Sequence, residues 1–476
     1  MAVCSFGKIS LRGLIESDWP YGTDIYVRLF YAATEETAIL IAASDSMDTF
    51  NRETDRFREE ISLRTGIPAD HIWYHELQAH AAPISPQLTG KTMDAIIEKA
   101  GNEALAMMKR AKKFTCRVAE ADVGGKYSMN REQYVPGLGG VTVWAGLRFD
   151  EKGRPYCQDP ARMVLRDYRP DLPAFQKPVY FDRPVDPKAY LFVFRDEEEN
   201  VIGTLSRFAA HPDVSVLFES RVKDGDYHFD FDWPGYLSEK LEAVFQAPSL
   251  YLNGPCGDLA MKKAFDEMDD YAASAGESRR IGEEMAEVLV KRFKEKSVSL
   301  GDAENLKCAL FRIDLPMKED FPRSLSEMEN LQGKIDIARA DYERAKAENE
   351  SPYAIKKKLD ALYRLETFPS FIHRFSGFDE ETLKKHEVTV PVTALRLGDY
   401  LFIGVPGESL SEMSLWLRSA LTGVKTIPID QVNGYFGYMA TPSSLHLGGY
   451  TYWCSWTSRE SIPLLKEKIL ECMEDF

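Results

Sequence analysis

The chain has 476 residues, of which 44% are hydrophobic, so it has ample material for a buried core and is not broadly disordered. It carries 75 acidic and 59 basic side chains, a formal net charge of −16. This acidity argues against a nucleic-acid groove or an anionic membrane surface as the main partner. The length allows several domains or one large α/β unit, and we predict a single domain over 1–476.

The amino terminus and the cysteines favour a cytoplasmic protein. The sequence begins MAVCSFGKISLRGLIESDW, which contains no apolar stretch of signal-peptide length. No run of 18 apolar residues occurs anywhere, so we expect no stable membrane insertion. The seven cysteines are scattered and form no CxxC pair, which is typical of reduced thiols and excludes a four-cysteine zinc site.

The amino-terminal part alternates apolar strands with amphipathic helices. Residues 22–44 predict a strand, a turn and a second strand that ends at Asp45. Residues 50–65 and 91–112 predict helices, since their apolar side chains recur at helical spacing. This alternation is typical of α/β proteins.

The middle of the chain favours strands from 115 to 210, punctuated by glycine and proline turns. The segment KAYLFVFRDEEENVIGTLSRFAAH (188–211) predicts a hairpin whose polar turn is EEEN. A helix is predicted over 237–245, after Asp-Trp-Pro-Gly, and a buried strand over 249–254.

Residues 318–366 differ in composition from the rest, being dense in Lys, Glu, Arg and Ala. A Glu-Ser-Pro break at 350–352 predicts two helices that form an antiparallel hairpin. Its polar faces are either simply solvated, or form a lid, or contact another copy in a homo-oligomer.

The carboxy-terminal part predicts strands over 388–396 and 399–404. A helix is predicted from about 408, and a last helix over 460–474.

Three candidate site residues follow apolar strands, where α/β proteins place their sites. His80 lies in HIWYHELQAHAAP (71–83), His211 in RFAAHPDVS, and Glu408 after the strand LFIGVPG. A histidine held after a strand by a following proline can bind a metal, although a lone histidine is more often a satisfied core residue. Glu408 is either a ligand or base, or an acid that complements a helix dipole.

The segment YLNGPCGDLAMK (251–262) runs from a strand into a glycine turn that carries Asp258. The N–H groups of Gly254 and Gly257 could face an anion or oxyanion. Cys256 is a candidate nucleophile, but no histidine lies nearby in sequence to activate it, which favours a bystander thiol.

Tyr438 and Tyr450 lie in a glycine-rich segment, NGYFGYMATPSSLHLGGYTYW (433–453). Aromatic side chains are usually core residues, but a pair in a glycine-rich loop is less usual.

In this order the motifs resemble those of the neutral/alkaline (non-lysosomal) ceramidase family, over most of the chain. Family members read, in order, a strand ending in Asp, THTHSGP, NR, FAxHP, DxPG, GDxSPN, PGE, YxxT and GGYE. The matching segments here are Asp45, LQAHAAP (77–83), Asn130-Arg131, FAAHP (208–212), DWPG (232–235), GDLAMK (257–262), PGE (406–408), YMAT (438–441) and GGYT (448–451).

The resemblance implies a layered α/β sandwich, with sheets in the middle, helices outside and the 318–366 hairpin as an insertion. It also implies a zinc amidase site, in which two His, one Glu and one Tyr hold a zinc that polarises a carbonyl and activates water. The positions that match these ligands include His211, Glu408 and Tyr438. Those that match substrate-contacting residues are Arg131 and Tyr450, with Asp258 in the glycine turn.

The chain departs from the family pattern at several positions. The family's first His ligand corresponds to Gln78, and His80, which matches the second His of that motif, is the candidate replacement after a backbone shift. An oxygen-richer ligand set would shift preference from zinc toward harder ions. The family serine corresponds to Ala260 and the last glutamate to Thr451, and we expect no immunoglobulin-like carboxy-terminal domain of the kind found in longer members.

Three functions follow as alternatives. The first is a metal-dependent hydrolase, with zinc as cofactor, that acts on a small polar amide-like or carbohydrate-like molecule. The second is a true ceramidase, against which Ala260 counts. The third is a metal-free, non-catalytic binding protein, which Gln78 favours.

Overall fold

The computed structural model describes residues 1–142, 148–152, 155–157, 179–215, 227–262, 270–376, 378–474 and 476. Its framework is formed by three β-sheets, named here the amino-terminal, middle and carboxy-terminal sheets. Each combines antiparallel strands with one parallel edge strand, which a helical connection brings back to the sheet. The three parallel edge strands are Ile72–Glu76, Ser249–Asn253 and Lys425–Ile429.

The amino-terminal sheet begins the chain, and its first hairpin confirms the strands predicted over 22–44. In spatial order its strands are Ile72–Glu76, Ala38–Ser44, Tyr26–Ala33, Val3–Ser10 and Lys112–Lys113. Helices Asn51–Thr65 and Gly90–Arg110 cover its outer face, close to their predicted bounds. Apolar side chains on both faces of these strands explain why both faces are covered.

The middle sheet contains the predicted hairpin, with strands Lys188–Arg195 and Val201–Phe208. In spatial order its strands are Ser249–Asn253, Val201–Phe208, Lys188–Arg195, Thr115–Asp122 and Val298–Ser299. Helices Asp232–Phe245 and Tyr271–Lys296 pack together against it. The first of these begins at Asp232, five residues before the predicted 237, because Pro234 is acceptable in the first turn of a helix.

The carboxy-terminal sheet has strands Leu306–Pro316, Glu387–Leu397, Tyr400–Gly404 and Lys425–Ile429. Helices Ser411–Ala420 and Ser461–Glu474 contribute to the core on its outer face.

Short elements connect these sheets and form the loops above them. The small ribbons pair Ser128–Asn130 with Leu259–Met261, Glu132–Val135 with Gly139–Thr142, Glu408–Ser409 with Tyr438–Met439, and Arg148–Phe149 with Pro155–Cys157 and Val179–Tyr180. The short helices are Ala69–His71, Ser85–Gln87, Gly124–Tyr127, Leu325–Glu329, Glu380–Lys385, Pro442–Leu447 and Tyr450–Trp453.

The amino-terminal and carboxy-terminal sheets meet edge to edge. His75 bridges Val432, and the Asn433 amide donates to the Tyr74 carbonyl at 2.8 Å. Both sheets share a core with the middle sheet, where Phe194 packs on Phe6 with ring centroids 5.4 Å apart. The result is a layered α/β sandwich with helices outside, as predicted.

The charged segment predicted over 318–366 contains helices Gln332–Ala347 and Pro352–Ser376. They pack on each other, and the break lies at 348–351, beside the predicted one. The second helix continues to Ser376, beyond the predicted end, and it packs against the short helix Tyr450–Trp453.

The cysteines described by the structure are free thiols at positions 4, 116, 256, 308, 454 and 472. Cys157 belongs to the short ribbon strand named above. Within the described ranges, no helix combines the length and the apolar character that crossing a bilayer requires.

Candidate functional site

The ends of the three parallel edge strands meet at one place. The backbone amide of Asn253 donates to His75 Nε2 at 2.9 Å, and the amide of Asp430 donates to the Asn253 carbonyl at 3.0 Å. His75 is therefore a hydrogen-bonded core residue that joins two sheets. Because carboxyl ends of strands carry the variable loops of α/β folds, the predicted site residues converge here.

His211 lies at the centre of this region and is fully buried. Its Nδ1 lies 2.9 Å from the Leu259 carbonyl, an acceptor that holds the ring proton on Nδ1. The other nitrogen, Nε2, lies 3.2 Å from Glu408 Oε2 and 3.2 Å from an Arg131 guanidinium nitrogen. A backbone carbonyl behind a histidine is a common arrangement for orienting a metal ligand.

Glu408 lies in the two-residue strand Glu408–Ser409, which pairs with Tyr438–Met439. The following helix begins at Ser411, so the helix start predicted near 408 is wrong, and a capping role for Glu408 does not apply. Burial alone would raise the pKa of Glu408, but hydrogen bonds to His211, Tyr438 and Gln78 lower it to about 2. The carboxylate is thus ionised, and Tyr435 donates to its Oε1 at 2.8 Å.

Arg131 is held at both ends: its backbone amide donates to the Asp258 carbonyl at 2.8 Å, and its guanidinium group has several partners. One guanidinium nitrogen donates to the Tyr438 hydroxyl at 2.7 Å and to the Gly257 carbonyl at 3.0 Å. A side chain at Gly257 would not fit, because its Cβ would lie 2.9 Å from the Glu408 carbonyl oxygen. Burial opposes the charge of Arg131, but Tyr438, Asp213 and Glu408 raise its pKa, so the guanidinium stays charged.

His80 and Gln78, the two candidates for the first ligand, both lie beside this cluster. The rings of His80 and His211 are 5.7 Å apart between centroids, and His80 Nε2 is shielded from solvent without a hydrogen bond. Burial and the neighbouring His211 lower the pKa of His80 to about 3, so its imidazole is neutral. Gln78 is in the left-handed region with φ of 59° and bonds Glu408 through its side chain.

Tyr450 packs edge-on against Tyr438, with ring centroids 5.3 Å apart. The helical hairpin holds the segment that carries it. The carboxylate of Asp360 accepts hydrogen bonds from Gly449 N at 3.3 Å and from Trp453 Nε1 at 2.8 Å. The hairpin predicted as a candidate lid is therefore in contact with the Tyr450 segment.

Asp258 supports the site from behind. Its carboxylate accepts from Asn130 Nδ2 at 2.6 Å and from the Ser411 amide at 2.7 Å. The amides of Gly254 and Gly257 donate to the carbonyls of Phe208 and Ser409, so the suggestion that they face an oxyanion is wrong. Both amides are used to hold the turn against neighbouring strands.

Cys256 and Ala260 are both buried in this turn. Burial and the nearby Asp430 raise the pKa of the Cys256 thiol well above its usual value. This agrees with the bystander interpretation, since the thiolate is the nucleophile. Ala260 pairs with Met129 in a short ribbon and offers no hydroxyl.

The sequence patterns do not single out two further residues of the site, Tyr435 and Asp213. Tyr435 bonds Glu408, and the buried Asp213 interacts electrostatically with Arg131. Burial raises the pKa of Asp213 to about 8, although Arg131 opposes the rise. Each lies within three residues of a predicted ligand, and this closeness in sequence is the signal that could have indicated them.

The donors fit a divalent metal in part. His211 Nε2, the ionised Glu408 and the Tyr438 phenol are nitrogen and oxygen donors of the kind that zinc accepts. Among the residues that the structure describes, however, no three His, Cys, Asp or Glu converge closely enough to hold a metal. His80 would therefore have to move to complete the set, whereas Gln78 already contacts Glu408.

Two solved ceramidase structures match almost the whole chain. Neutral ceramidase from Pseudomonas aeruginosa superposes with a TM-score of 0.62 at 13% identity, covering 98% of this chain and 73% of that one. The chain has a fold similar to that of neutral ceramidase. A structure described as a ceramidase complexed with C2 gives a TM-score of 0.62 at 12% identity, covering 98% and 74%.

At these identities the likeness to neutral ceramidase concerns the fold. No protein-family model matches the sequence, and neither does a curated protein.

Proposed function

We propose that the chain is a metal-dependent hydrolase on a ceramidase-like fold, which cleaves a small polar amide-like or carbohydrate-like substrate. One observation carries this proposal. Arg131, His211, Glu408 and Tyr438 come from four distant parts of the sequence, yet they lie within hydrogen-bond distance of one another where the sheets meet. Buried charged groups gathered in this way are typical of catalytic sites.

The metal would be held by His211, Glu408 and Tyr438, with Gln78 or a displaced His80 as the fourth donor. When bound, such a metal polarises a carbonyl and lowers the pKa of a bound water. The Leu259 carbonyl orients His211, and Tyr435 orients Glu408, so both side chains are fixed before any substrate arrives.

Arg131 would stabilise negative charge that develops on a substrate oxygen. Its guanidinium is charged, buried and held by the Gly257 carbonyl, and its contacts with His211 Nε2 and the Tyr438 hydroxyl would open when a metal binds those atoms. Tyr450 is only partly buried and packs edge-on against Tyr438, which would place it to contact the substrate. His80 is partly exposed as well, so the two side chains mark where the cluster opens.

A cavity with a charged lining lies beside the Tyr450 segment and favours a polar substrate over one with two long apolar chains, although the ligand residues His211, Glu408 and Tyr438 do not line it. It has a volume of about 620 Å³ and lies between the hairpin and the segment around Gly448 and Tyr452. Its charged lining residues are Lys318, Glu319, Asp320, Lys356, Lys357, Asp360, Arg364, Arg459 and Glu460. Such a lining would leave a ceramide's hydrocarbon chains facing charges, which is costly.

The test is hydrolysis by the purified, zinc-supplied chain of short N-acyl amines, glycosides and ceramide in mixed micelles. We expect turnover of a small polar substrate that falls at least about 100-fold in His211→Ala, while the control Lys109→Ala, an exposed residue outside the cavity, keeps its turnover number. Faster cleavage of ceramide than of every small substrate would instead establish a true ceramidase, the activity that the solved structures' descriptions favour.

A metal-free binding protein is the second alternative, and Gln78 is the observation that favours it. That alternative predicts no turnover of any class, with or without zinc, and no effect of His211→Ala.

A further inference from the structure

A second cluster of buried oxygen atoms lies under the start of helix Asn51–Thr65, beside the segment that carries Gln78, since the Leu77 and Ala79 amides donate to the Ser44 and Ser46 carbonyls. Ser44 and Glu76 are register partners at the ends of two parallel strands. Tyr74 precedes Glu76 by two residues on the same strand face and packs on Phe57 of the helix, with ring centroids 4.8 Å apart. Ser44, Tyr74 and Glu76 therefore face the loop 45–50 that leads into the helix.

That loop adds further oxygen atoms to the cluster. The Thr49 hydroxyl lies 3.5 Å from the Tyr74 hydroxyl. The side chains of Ser44 and Ser46 also lie close enough to the Tyr74 phenol to affect its ionisation. Asp48 is near enough to Glu76 for the two carboxylates to repel each other.

Glu76 is the residue that requires an explanation. It is 1% exposed, and among the described residues its carboxylate oxygens have no hydrogen-bond donor nearby except the Thr49 hydroxyl and amide. Thr49 lies near it, but within the described ranges no lysine or arginine pairs with it. An ionised carboxylate buried beside another without a counter-charge is strongly unfavourable.

The side chain of Gln431, whose backbone meets that of Glu76, also lacks hydrogen-bond partners in the part of the chain that the structure describes. Its carbonyl accepts from the Glu76 amide at 3.2 Å, and both polar atoms of its side chain are buried without hydrogen bonds. Two carboxylates and several hydroxyls are ligands that hard cations prefer.

We propose that Glu76 and Asp48, with the hydroxyls of Ser44 and Ser46, bind a divalent hard cation, calcium in preference to magnesium. Calcium accepts ligand sets supplied largely by protein oxygens, whereas magnesium usually keeps several waters. The cation would join the amino-terminal sheet to the start of helix Asn51–Thr65. This site uses none of the residues His211, Glu408 and Tyr438, although it adjoins the Gln78 segment, and it does not depend on the proposed function.

Terbium luminescence tests the site on the wild-type chain. Tb³⁺ is a probe of calcium sites, and Tyr74 lies in the cluster as an energy donor. We expect tyrosine-sensitised Tb³⁺ emission that added CaCl₂ abolishes, and about one calcium per chain after dialysis against calcium. Absence of both signals would overturn the proposal.

Two variants separate this site from the zinc site. In His211→Ala, stripped with chelator, CaCl₂ should still raise the Tm by at least about 2 °C. Glu76→Gln keeps the size of the side chain and should lose both the Tm shift and the Tb³⁺ emission.

If Glu76 is instead simply protonated, Glu76→Gln will be as stable as wild type and no protein will respond to calcium, which contradicts the proposal. Calcium binding by Glu76→Gln equal to that of wild type would contradict it too. Should Glu76→Gln fail to fold, the terbium and calcium measurements on wild type decide alone.

Discussion

At the residue scale, the site depends on a few buried groups that fix one another. His211 is oriented by a carbonyl, Glu408 by Tyr435, and Arg131 by Gly257 and Tyr438. Each contact removes conformational freedom from a charged or ligating group. The position with the least support is the first ligand, where Gln78 replaces the histidine implied by the family motif.

Gln78→His should strengthen zinc binding by at least about 10-fold, because imidazole is a better zinc ligand than an amide oxygen. Histidine is also among the residues that tolerate positive φ, which this position requires. Competition with a chromophoric chelator measures the affinity, with Gln78→Asn as the control of matched chemistry. Unchanged affinity in the histidine variant would show that position 78 does not face the metal.

Tyr435→Phe should weaken zinc binding by about 10- to 100-fold, since groups that hydrogen-bond a metal ligand have effects of this size. The variant removes only the hydroxyl that donates to Glu408. Tyr251→Phe, which loses a buried hydroxyl that bonds the Phe208 carbonyl outside the ligand set, controls for lost stability. Equal zinc affinities in the two variants would contradict the role of Tyr435.

At the element scale, one buried ion cluster joins the middle sheet to the helix after Glu408. Asp186 pairs with Arg207 of the strand Val201–Phe208 at 2.6 Å and with Arg418 of helix Ser411–Ala420 at 2.5 Å. Burial opposes ionisation of Asp186, but the two guanidinium groups lower its pKa below the ordinary value. The cluster therefore stabilises the elements that position His211 and Glu408.

Asp186→Asn should destabilise the chain by about 3–5 kcal/mol at pH 7, because two buried arginines lose their counter-charge. The pKa of Asp186 is lower in the folded chain than in the unfolded chain. The stability that its ion pairs supply is therefore complete above the unfolded-state pKa of about 4 and is lost as the pH falls toward the folded-state pKa. Urea unfolding should thus show a wild-type advantage that shrinks in acid. Glu412→Gln, in a surface pair with Lys466, should cost no more than about 1 kcal/mol. Equal effects of the two substitutions would contradict this account.

The helical hairpin is the second element with a specific consequence for the site. Asp360→Asn should loosen the Tyr450 segment, because it weakens the acceptor for Gly449 and Trp453 and removes the charge that pairs with Lys356. We expect faster amide hydrogen exchange over 448–453, measured by mass spectrometry. Asp341→Asn, on the exposed side of the hairpin, is the control and should leave that exchange unchanged. Unchanged exchange in Asp360→Asn would show that the hairpin does not hold Tyr450.

At the scale of the whole molecule, the family resemblance implies the sandwich, and the sequence pattern predicts the strands, the helices and the strand ends at which the site forms. Periodicity suffices for these, since buried strands and amphipathic helices have distinct patterns. It does not show that the strands ending at Glu76, Asn253 and Ile429 meet, because that contact depends on how three sheets pack. For the same reason the patterns do not single out Tyr435 and Asp213, which only their closeness in sequence to predicted ligands could have indicated, and they do not reveal the short pairing that places Glu408 beside Tyr438.

The central claim is that His211, Glu408 and Tyr438 hold a metal. Elemental analysis of the purified chain, supplied with zinc and dialysed, tests it most directly. We predict about one zinc per chain, lost in both His211→Ala and Glu408→Gln and retained in His71→Ala, a histidine outside the cluster. A zinc-free wild-type chain, or zinc that persists in both ligand variants, would contradict the metal site and leave a metal-free function on a ceramidase-like fold.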